Sequence, residues 1–459
     1  MVKKPDLSRL FFFATVITVA LCIAFLFGLY SGARKNRVYD AVQAVKADVK
    51  LVFEEIPNLS KTRPKDFLQP ARYAGSGVTI DKAGDRADSL VLLSGFFDNN
   101  NELRLVRRSG DIVARWTVKF PELFPDTTHM FEPPETEWNI DLHGALALPD
   151  GSVVFNFDYG GLVKLDRCGS VVWTLAEPSH HSVELAEDGG FWVPGQRVHR
   201  SGDSSPFPPF NTPFREDTIM RVSGNGVVQD EISVPQLFYD NHLEALLTAS
   251  GESVKVDKKW DNEIVHLNKI AELKREMAGD FPQFEAGDLM LSLRQYNMVL
   301  VIDPESRVIK WWKAGPWLRQ HDPEFVPGGH IIVFNNNRFR TSFGPGNGMI
   351  SSLDIPRISN IIEFDPASGE FEIVYGGRAD QELLSVIRGK HERQPHGGLL
   401  ITEFEGGRVL ETDANGRIIW EYINRYDEDE VAELTEARVY PSSYFEVSDW
   451  SCEGIQNTQ

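Results

Sequence analysis

Residues 409–422 read VLETDANGRIIWEY: an apolar run, a polar turn ending in Gly416, and a second run closing on an aromatic residue. The unit recurs as LRLVRRSGDIVARW (103–116), LVKLDRCGSVVWTL (162–175), IMRVSGNGVVQDEI (219–232), LVIDPESRVIKWW (300–312) and IIEFDPASGEFEIVY (361–375). From turn to turn, at Gly110, Gly169, Gly226, Ser306, Gly369 and Gly416, the steps are 59, 57, 80, 63 and 47 residues. A step of about 61 residues holds four strands of ordinary length with their loops. Second hairpins lie between the first: HGALALPDGSVVFNF (143–157), HSVELAEDGGFWVPG (181–195) and HDPEFVPGGHIIVFN (321–335). Each alternates apolar and polar residues about a glycine turn, as a strand pair with one packed face does. Six four-stranded units in tandem predict an all-β, six-bladed β-propeller over 73–459, ending in a C-terminal tail and closed radially to hide its strand edges. A segment near Gly77 to Ile80 is expected to complete the last blade. Two helices are expected inside the ring, at 258–278 in the 80-residue step and at 427–439.

Upstream of the repeats, Leu10 to Tyr30 runs 21 residues without a charge. As a helix it rises about 31 Å and matches a hydrocarbon core of about 30 Å. The predicted order is a cytoplasmic tail (1–9), a transmembrane helix or signal anchor (10–30), a juxtamembrane helix (34–56), a linker (57–72) and the propeller. A cleaved signal peptide is the rival, because Ser31 and Ala33 form a small-x-small site. Val38, Val42, Val45, Val49, Val52 and Ile56 recur at steps of four and three. That seam allows a homodimer through the juxtamembrane helix, or a helix lying against the main body. The expected location is a single-pass membrane protein with its body on the periplasmic or extracytoplasmic side. Cys168 and Cys452 could pair only in an exported body.

The chain carries 47 basic and 67 acidic side chains, net -20. Six of the basic ones fall in residues 1–37 beside a single acid, which leaves the remainder at -25. Such a body does not suit nucleic acid, whose phosphates require cations. Three cysteines exclude a disulfide scaffold. There is no GxSxG elbow, and the glycine-rich FGPGNGM (343–349) lacks the Lys-Ser/Thr of a phosphate loop.

The histidines carry the chemistry. His143, His181 and His321 each stand six residues before the same turn position, held by Pro149, Glu187 and Pro327. Strand parity then aims all three at the mouth of the central channel. His391 falls four residues before Pro395, on the same face one pleat deeper, and His396 sits inside that turn. His266 with Asn268, and Arg338 after the FNNN run, join the set. His180, of opposite parity, is expected to support His181. His129, His199, His242 and His330 are read as surface or core residues. Clustered imidazoles also bind zinc or copper. No cysteine and no close HxH or HxxxH pair accompanies them, and no metal or cofactor is assigned.

HHSVELAEDGGFWV, HLNKI followed by GDLMLSLRQYNMVLVID, QHDPEFVPGGHIIVFNNNR and LITEFEGGRVLETDANGRIIWEY resemble successive blades of the arylsulfotransferase-like propeller family, over about residues 73–425. The resemblance implies an exported enzyme that moves a sulfuryl group from an aryl sulfate donor to a phenolic acceptor without a nucleotide, through a transiently sulfated histidine. It places His181 at the family's HH motif, His321 at its QH motif and Arg338 at the arginine after the Asn run. The nucleophile falls in the blade containing RGKHERQPHGG, which makes His391 the candidate and His396 the fallback; His143, His266, Asn268 and His396 are candidate substrate contacts. A non-catalytic propeller that binds a ligand or scaffolds an envelope complex is the alternative. A quinone-dependent dehydrogenase is a third reading, suggested by GSVVW and GRIIW.

Overall fold

The computed structural model describes residues 7–34, 38–39, 42, 62–82, 84, 88–208, 210–248, 263–337 and 359–452. They form two compact units, residues 1–65 and 66–459. In the first, Leu7–Arg34 is one 28-residue helix, longer at both ends than the uncharged run. Phe11–Arg34 is long and apolar enough to cross a bilayer. Its two threonine hydroxyls bond within the helix, Thr15 Oγ1 donating to the Phe11 carbonyl and Thr18 Oγ1 to that of Ala14, each at 2.9 Å. Of the expected juxtamembrane helix, Arg34 ends Leu7–Arg34 and residues 38, 39 and 42 are helical; the rest of it lies outside the described residues.

The second unit is a six-bladed β-propeller. From the innermost strand outward, blade 1 is Leu434–Pro441, Ser89–Phe97, Asn100–Arg107 and Ile112–Val118. Blade 2 is Leu142–Ala147, Val153–Phe157, Gly161–Leu165 and Val171–Leu175. Blade 3 is Glu184–Leu185, Phe191–His199, Phe214–Val222 and Val228–Ser233. Blade 4 is Leu267–Glu272, Leu289–Leu293, Met298–Asp303 and Val308–Ala314. Blade 5 is His321–Val326, His330–Asn335, Asn360–Phe364 and Phe371–Tyr375. Blade 6 is Lys390–Arg393, Leu399–Glu403, Arg408–Thr412 and Ile418–Ile423.

The aromatic residue that closes the repeat has a structural task. Trp116, Trp173 and Trp420, each on an outer strand, donate their indole N–H to a turn carbonyl of the following blade, at Asp166, Gly224 and Arg108. A ring with a satisfied polar edge, buried at Trp116 and Trp420 and half-buried at Trp173, thus staples blade to blade. Between sheets lie apolar cores; one joins Leu92, Leu105 and Trp116 of blade 1 to Phe155, Phe157 and Val163 of blade 2.

Gly77–Asp81 does join the last blade, as a fifth strand on Ile418–Ile423. The ring itself is closed from the other end of the chain, by Leu434–Pro441 pairing with Ser89–Phe97. Within the expected linker, Leu68–Pro70 pairs with Glu430–Ala432, and Phe67 stacks on Phe96 at 4.0 Å between ring centroids. Cys168 and Cys452 are disulfide-bonded, tying the C-terminal tail to the outer turn of blade 2.

Both expected helices inside the ring are strands. Residues 258–262 lie outside the described residues, and Leu267–Glu272 is the innermost strand of blade 4. The stretch 427–439 forms Glu430–Ala432 and the start of Leu434–Pro441. The cause is the channel. Its lining strands carry charged residues inward, where Lys269 meets Asp322 and Glu436 meets Lys390. Charge on a packed face breaks period 2 and mimics the polar stripe of a helix.

Candidate active site

The innermost strands do not enter the channel as straight ribbons. Register breaks occur between Leu142 and Ala145, Leu267 and Lys269, and His321 and Glu324. His181, His266, Asp322 and Arg388 adopt positive φ of 59°, 56°, 52° and 57°. Non-glycine residues in this region cost about 1–3 kcal/mol each and cluster where function requires a side chain to be re-aimed. Gly144 permits a close approach, since a Cβ there would stand 2.7 Å from the Val183 nitrogen and 2.8 Å from the His181 carbonyl.

Four imidazoles meet at this end of the channel. The His181 ring centroid lies 4.1 Å from that of His143, 4.8 Å from His266 and 6.1 Å from His321. All four are buried. Each is held by Nδ1: His143 by Asp158 at 2.9 Å, His321 by Asn336 at 2.7 Å, His181 by His180 at 2.6 Å, and His266 by Glu263 in a short contact. The partners fix the tautomers. Asn336 Nδ2 donates to the carbonyls of Ser385 and Arg388, both at 2.8 Å, so its Oδ1 accepts and His321 Nδ1 carries the proton. The carboxylates of Asp158 and Glu263 impose the same tautomer on His143 and His266. His180 presents Nε2 to the Gly195 carbonyl at 3.4 Å, leaving its Nδ1 to accept from His181. Every ring therefore turns an Nε2 lone pair away from its anchor, and those of His143, His266 and His321 are buried without a hydrogen-bond partner.

The rings are neutral at pH 7. Burial holds His143, His181 and His321 well below the usual histidine range, reinforced by Arg388 for the first, the neighbouring imidazoles for the second and Arg294 for the third. His266 is lowered by burial and then Arg294, although Glu263 opposes the shift. Glu263 stays ionised against its own burial because His266 and Arg215 face it. Asp217, by contrast, is pushed up to about 8 by burial and Glu263 and sits 3.6 Å from His180 Nε2.

His391 is where its parity puts it, on the innermost strand of blade 6 one pleat below. Its ring is buried and lies 3.6 Å from Asp322, whose carboxylate accepts the His391 backbone N–H at 2.9 Å. Burial lowers it to about 4, against the pull of Asp322. At the register position of His143 and His321, blade 6 carries Gly389, flanked by Arg388 and Lys390. Asn268 turns to the Gln320 carbonyl at 2.8 Å, bridging blades 4 and 5. His396 stands apart at the far turn of blade 6, bonded to the Thr412 carbonyl at 2.9 Å. Arg338 lies outside the described residues.

Sequence reasoning missed the residues around the rings. Arg388 pairs with Asp141 in a short contact and approaches Asp158 at 3.5 Å, behind His143. Arg294 has its Nε buried and unpartnered next to His266 and His321. A signal for the anchors was present: Asp158 and Asn336 each follow their histidine by 15 residues, at the end of the adjacent strand.

A family model described as arylsulfotransferase (ASST) matches residues 144–425, and the chain belongs to that family. No curated relative matches it. Among solved structures, a protein of unknown function from Bacteroides caccae is 13% identical, covering 73% of this chain and 93% of its own, with a TM-score of 0.44. The Dos1 propeller is 7% identical, covering 80% and 78%, with a TM-score of 0.36. A catalytically inactive virginiamycin B lyase from Staphylococcus aureus is 11% identical, covering 77% and 91%, with a TM-score of 0.38.

Proposed function

We propose that this chain transfers a sulfuryl group from an aryl sulfate to a phenol at the four-imidazole end of the channel, through a sulfo-histidine. The observation that carries the reading is the set of Nε2 lone pairs, buried and unpartnered, in a member of the arylsulfotransferase family. We assign His321 as the nucleophile. Asn336 fixes its tautomer, and Arg294 stands beside it to hold the sulfuryl oxygens, with Arg338 as a second candidate clamp. His321 Nε2 donates its pair to sulfur as the S–O bond breaks and the phenolate departs. The incoming phenol then attacks sulfur and gives its proton to His143, whose imidazolium Asp158 would stabilise. The N–S bond breaks and returns its pair to His321. His181, between the two rings, orients the phenols. Neutral imidazoles are bases and give the leaving phenolate no proton, so donors built on electron-poor phenols should be preferred.

His391 is the rival nucleophile, and one experiment decides between the two. Wild-type chain is incubated with an electron-poor aryl sulfate and a phenol, then quenched without acid and analysed by mass spectrometry for one added sulfuryl group on a histidine peptide. The label is expected on His321; a label on His391 moves the reaction one pleat down, and no label with no turnover removes the enzymatic reading. Ping-pong kinetics should accompany transfer.

We further propose that Leu7–Arg34 anchors the protein in a membrane with the propeller on the exported side. The supporting observation is the Cys168–Cys452 disulfide, a bond that persists in oxidising compartments. Protease added to spheroplasts should digest the propeller; protection until lysis would overturn this topology.

A further inference from the structure

The imidazole cluster holds more acceptors than a channel of this kind requires. Four rings, each with its proton fixed on Nδ1, present four lone pairs, three of them buried with nothing to donate to them. A buried acceptor left unsatisfied costs about 1–3 kcal/mol. One water has two protons to give and cannot serve four acceptors. A Lewis acid can.

The anchors point the same way. Histidines that ligate a metal almost always donate the other ring N–H to a carboxylate, an amide or carbonyl oxygen, or water, which fixes the tautomer and raises the basicity of the ligating nitrogen. Asp158 behind His143, Glu263 behind His266 and Asn336 behind His321 have this form. One ring nitrogen from each of His181, His266 and His321 lies within 4.8 Å of the other two. Tetrahedral coordination at about 2.0–2.1 Å per bond places ligand nitrogens about 3.3 Å apart.

We propose that His181, His266 and His321 form a site for one divalent transition metal ion of the zinc type, with His143, whose ring stands 4.1 Å from that of His181, as the fourth ligand. All-imidazole donors suit zinc and copper and do not suit calcium or magnesium. The three rings come from blades 3, 4 and 5 and the fourth from blade 2, so a bound ion clamps four blades at one end of the channel. It also takes the lone pairs that the transfer reaction would use. Metal occupancy and sulfuryl transfer therefore exclude each other. The metal site does not rest on the transferase reading, because binding is measured without turnover.

The test uses the full chain in detergent, stripped with a chelator and titrated with Co²⁺, whose tetrahedral imidazole complexes absorb in the visible, followed by displacement with Zn²⁺. One saturable equivalent is expected. His266→Gln and His321→Gln should each weaken binding at least 10-fold, and Glu263→Gln by about 10–100-fold. His330→Gln, at a half-buried histidine of blade 5 paired with Glu363 away from the cluster, should leave it unchanged. Thermal unfolding of each metal-free variant reports whether it folds. Should a ligand variant fail to fold, Asn336→Ala keeps all four rings and should still weaken binding about 10-fold. No saturable equivalent, or an affinity untouched by His266→Gln and His321→Gln, overturns the proposal. A chain that binds one Zn²⁺ but, stripped of metal, transfers no sulfuryl group supports this inference and defeats the transferase reading; transfer by a chain without saturable metal does the reverse.

Discussion

Two successive layers of one channel solve the problem of buried polarity in opposite ways. At the site end, His143, His181, His266 and His321 are anchored through Nδ1 and left open at Nε2. One to three residues further along the same strands, charge is closed on itself. Lys269 Nζ reaches Asp322 at 2.9 Å, Glu324 at 3.5 Å and Glu184 at 3.8 Å, and Lys390 Nζ reaches Asp322 at 3.5 Å and Glu436 at 3.4 Å. Asp322 is held well below the carboxylate range because the two ammonium groups outweigh its burial. The first layer keeps unspent bonding capacity; the second spends most of it on ion pairs that link blades 1, 3, 4, 5 and 6 around the axis, with His391 the exception, its two ring nitrogens buried without a hydrogen-bond partner. Reactivity and stability should therefore separate by layer, and substitutions can test that.

The largest effect is expected on turnover. His321→Ala should lower kcat by about 10³-fold or more, as loss of a nucleophile does. Its cost in urea unfolding should stay at about 1–3 kcal/mol, that of leaving the buried Asn336 Oδ1 without its His321 Nδ1–H donor. The comparison breaks if His391→Ala silences transfer while His321→Ala does not, because the deeper layer would then be the reacting one.

Asp322→Asn reverses the pattern. It leaves Lys269 and Lys390 with fewer counter-charges in a buried channel, and removing one partner of a buried ion pair costs about 3–5 kcal/mol. Urea unfolding should show that loss. A cost under about 1 kcal/mol would mean that the lower layer is solvated and does not hold the ring.

A control lies outside both layers. Cys168→Ser should lower stability by about 2–4 kcal/mol by freeing the tail tied through Cys452. Turnover per folded molecule should stay within a factor of two, because the bond sits on the outer turn of blade 2. A large loss of turnover would show that the tail reaches the channel.

The same two layers explain what could be read in advance. Outer hairpins were legible because their apolar alternation and closing aromatics serve packing alone, and Trp116, Trp173 and Trp420 staple neighbouring blades. The three histidines at one register position were legible because repeat symmetry survives in the channel. The innermost strands of blades 1 and 4 were not, because Lys269 and Glu436 face inward to partners from other blades, and nothing local marks those partners. Ring closure by Leu434–Pro441 was hidden for the same reason: its acidic residues pair across the ring, so the stretch resembles a capped helix. His266 could not be placed by counting, since a register break at Leu267 and a left-handed residue re-aim it. Asp158 and Asn336, 15 residues after their histidines, could have been found by extending the alignment one strand further.

The smallest effect separates two adjacent residues of the lower layer. His391 is lowered to about 4, chiefly by burial. Glu392 is raised to about 7, chiefly by burial, with Arg438 opposing and Glu436 reinforcing the shift. For His391 the unfolded chain binds more protons between pH 6.5 and 4, so stability is kept above 6.5 and lost as pH falls toward 4. For Glu392 the folded chain binds more protons between 4.5 and 7, so stability is present below 4.5 and lost as pH rises through 7. Over most of this window the two slopes oppose, and the wild-type dependence from these two groups should be shallow. Glu392→Gln removes the falling limb and leaves that of the buried His391, so the chain should gain about 1–2 kcal/mol in urea unfolding between pH 4.5 and 6.5, within the about 1.36 kcal/mol per pH unit that one fully shifted group can supply. His391→Gln should do the opposite, losing stability over the same interval. If both variants keep the wild-type profile, this layer exchanges protons with solvent as freely as an exposed surface does, and its contrast with the imidazole layer above would be one of position and not of environment.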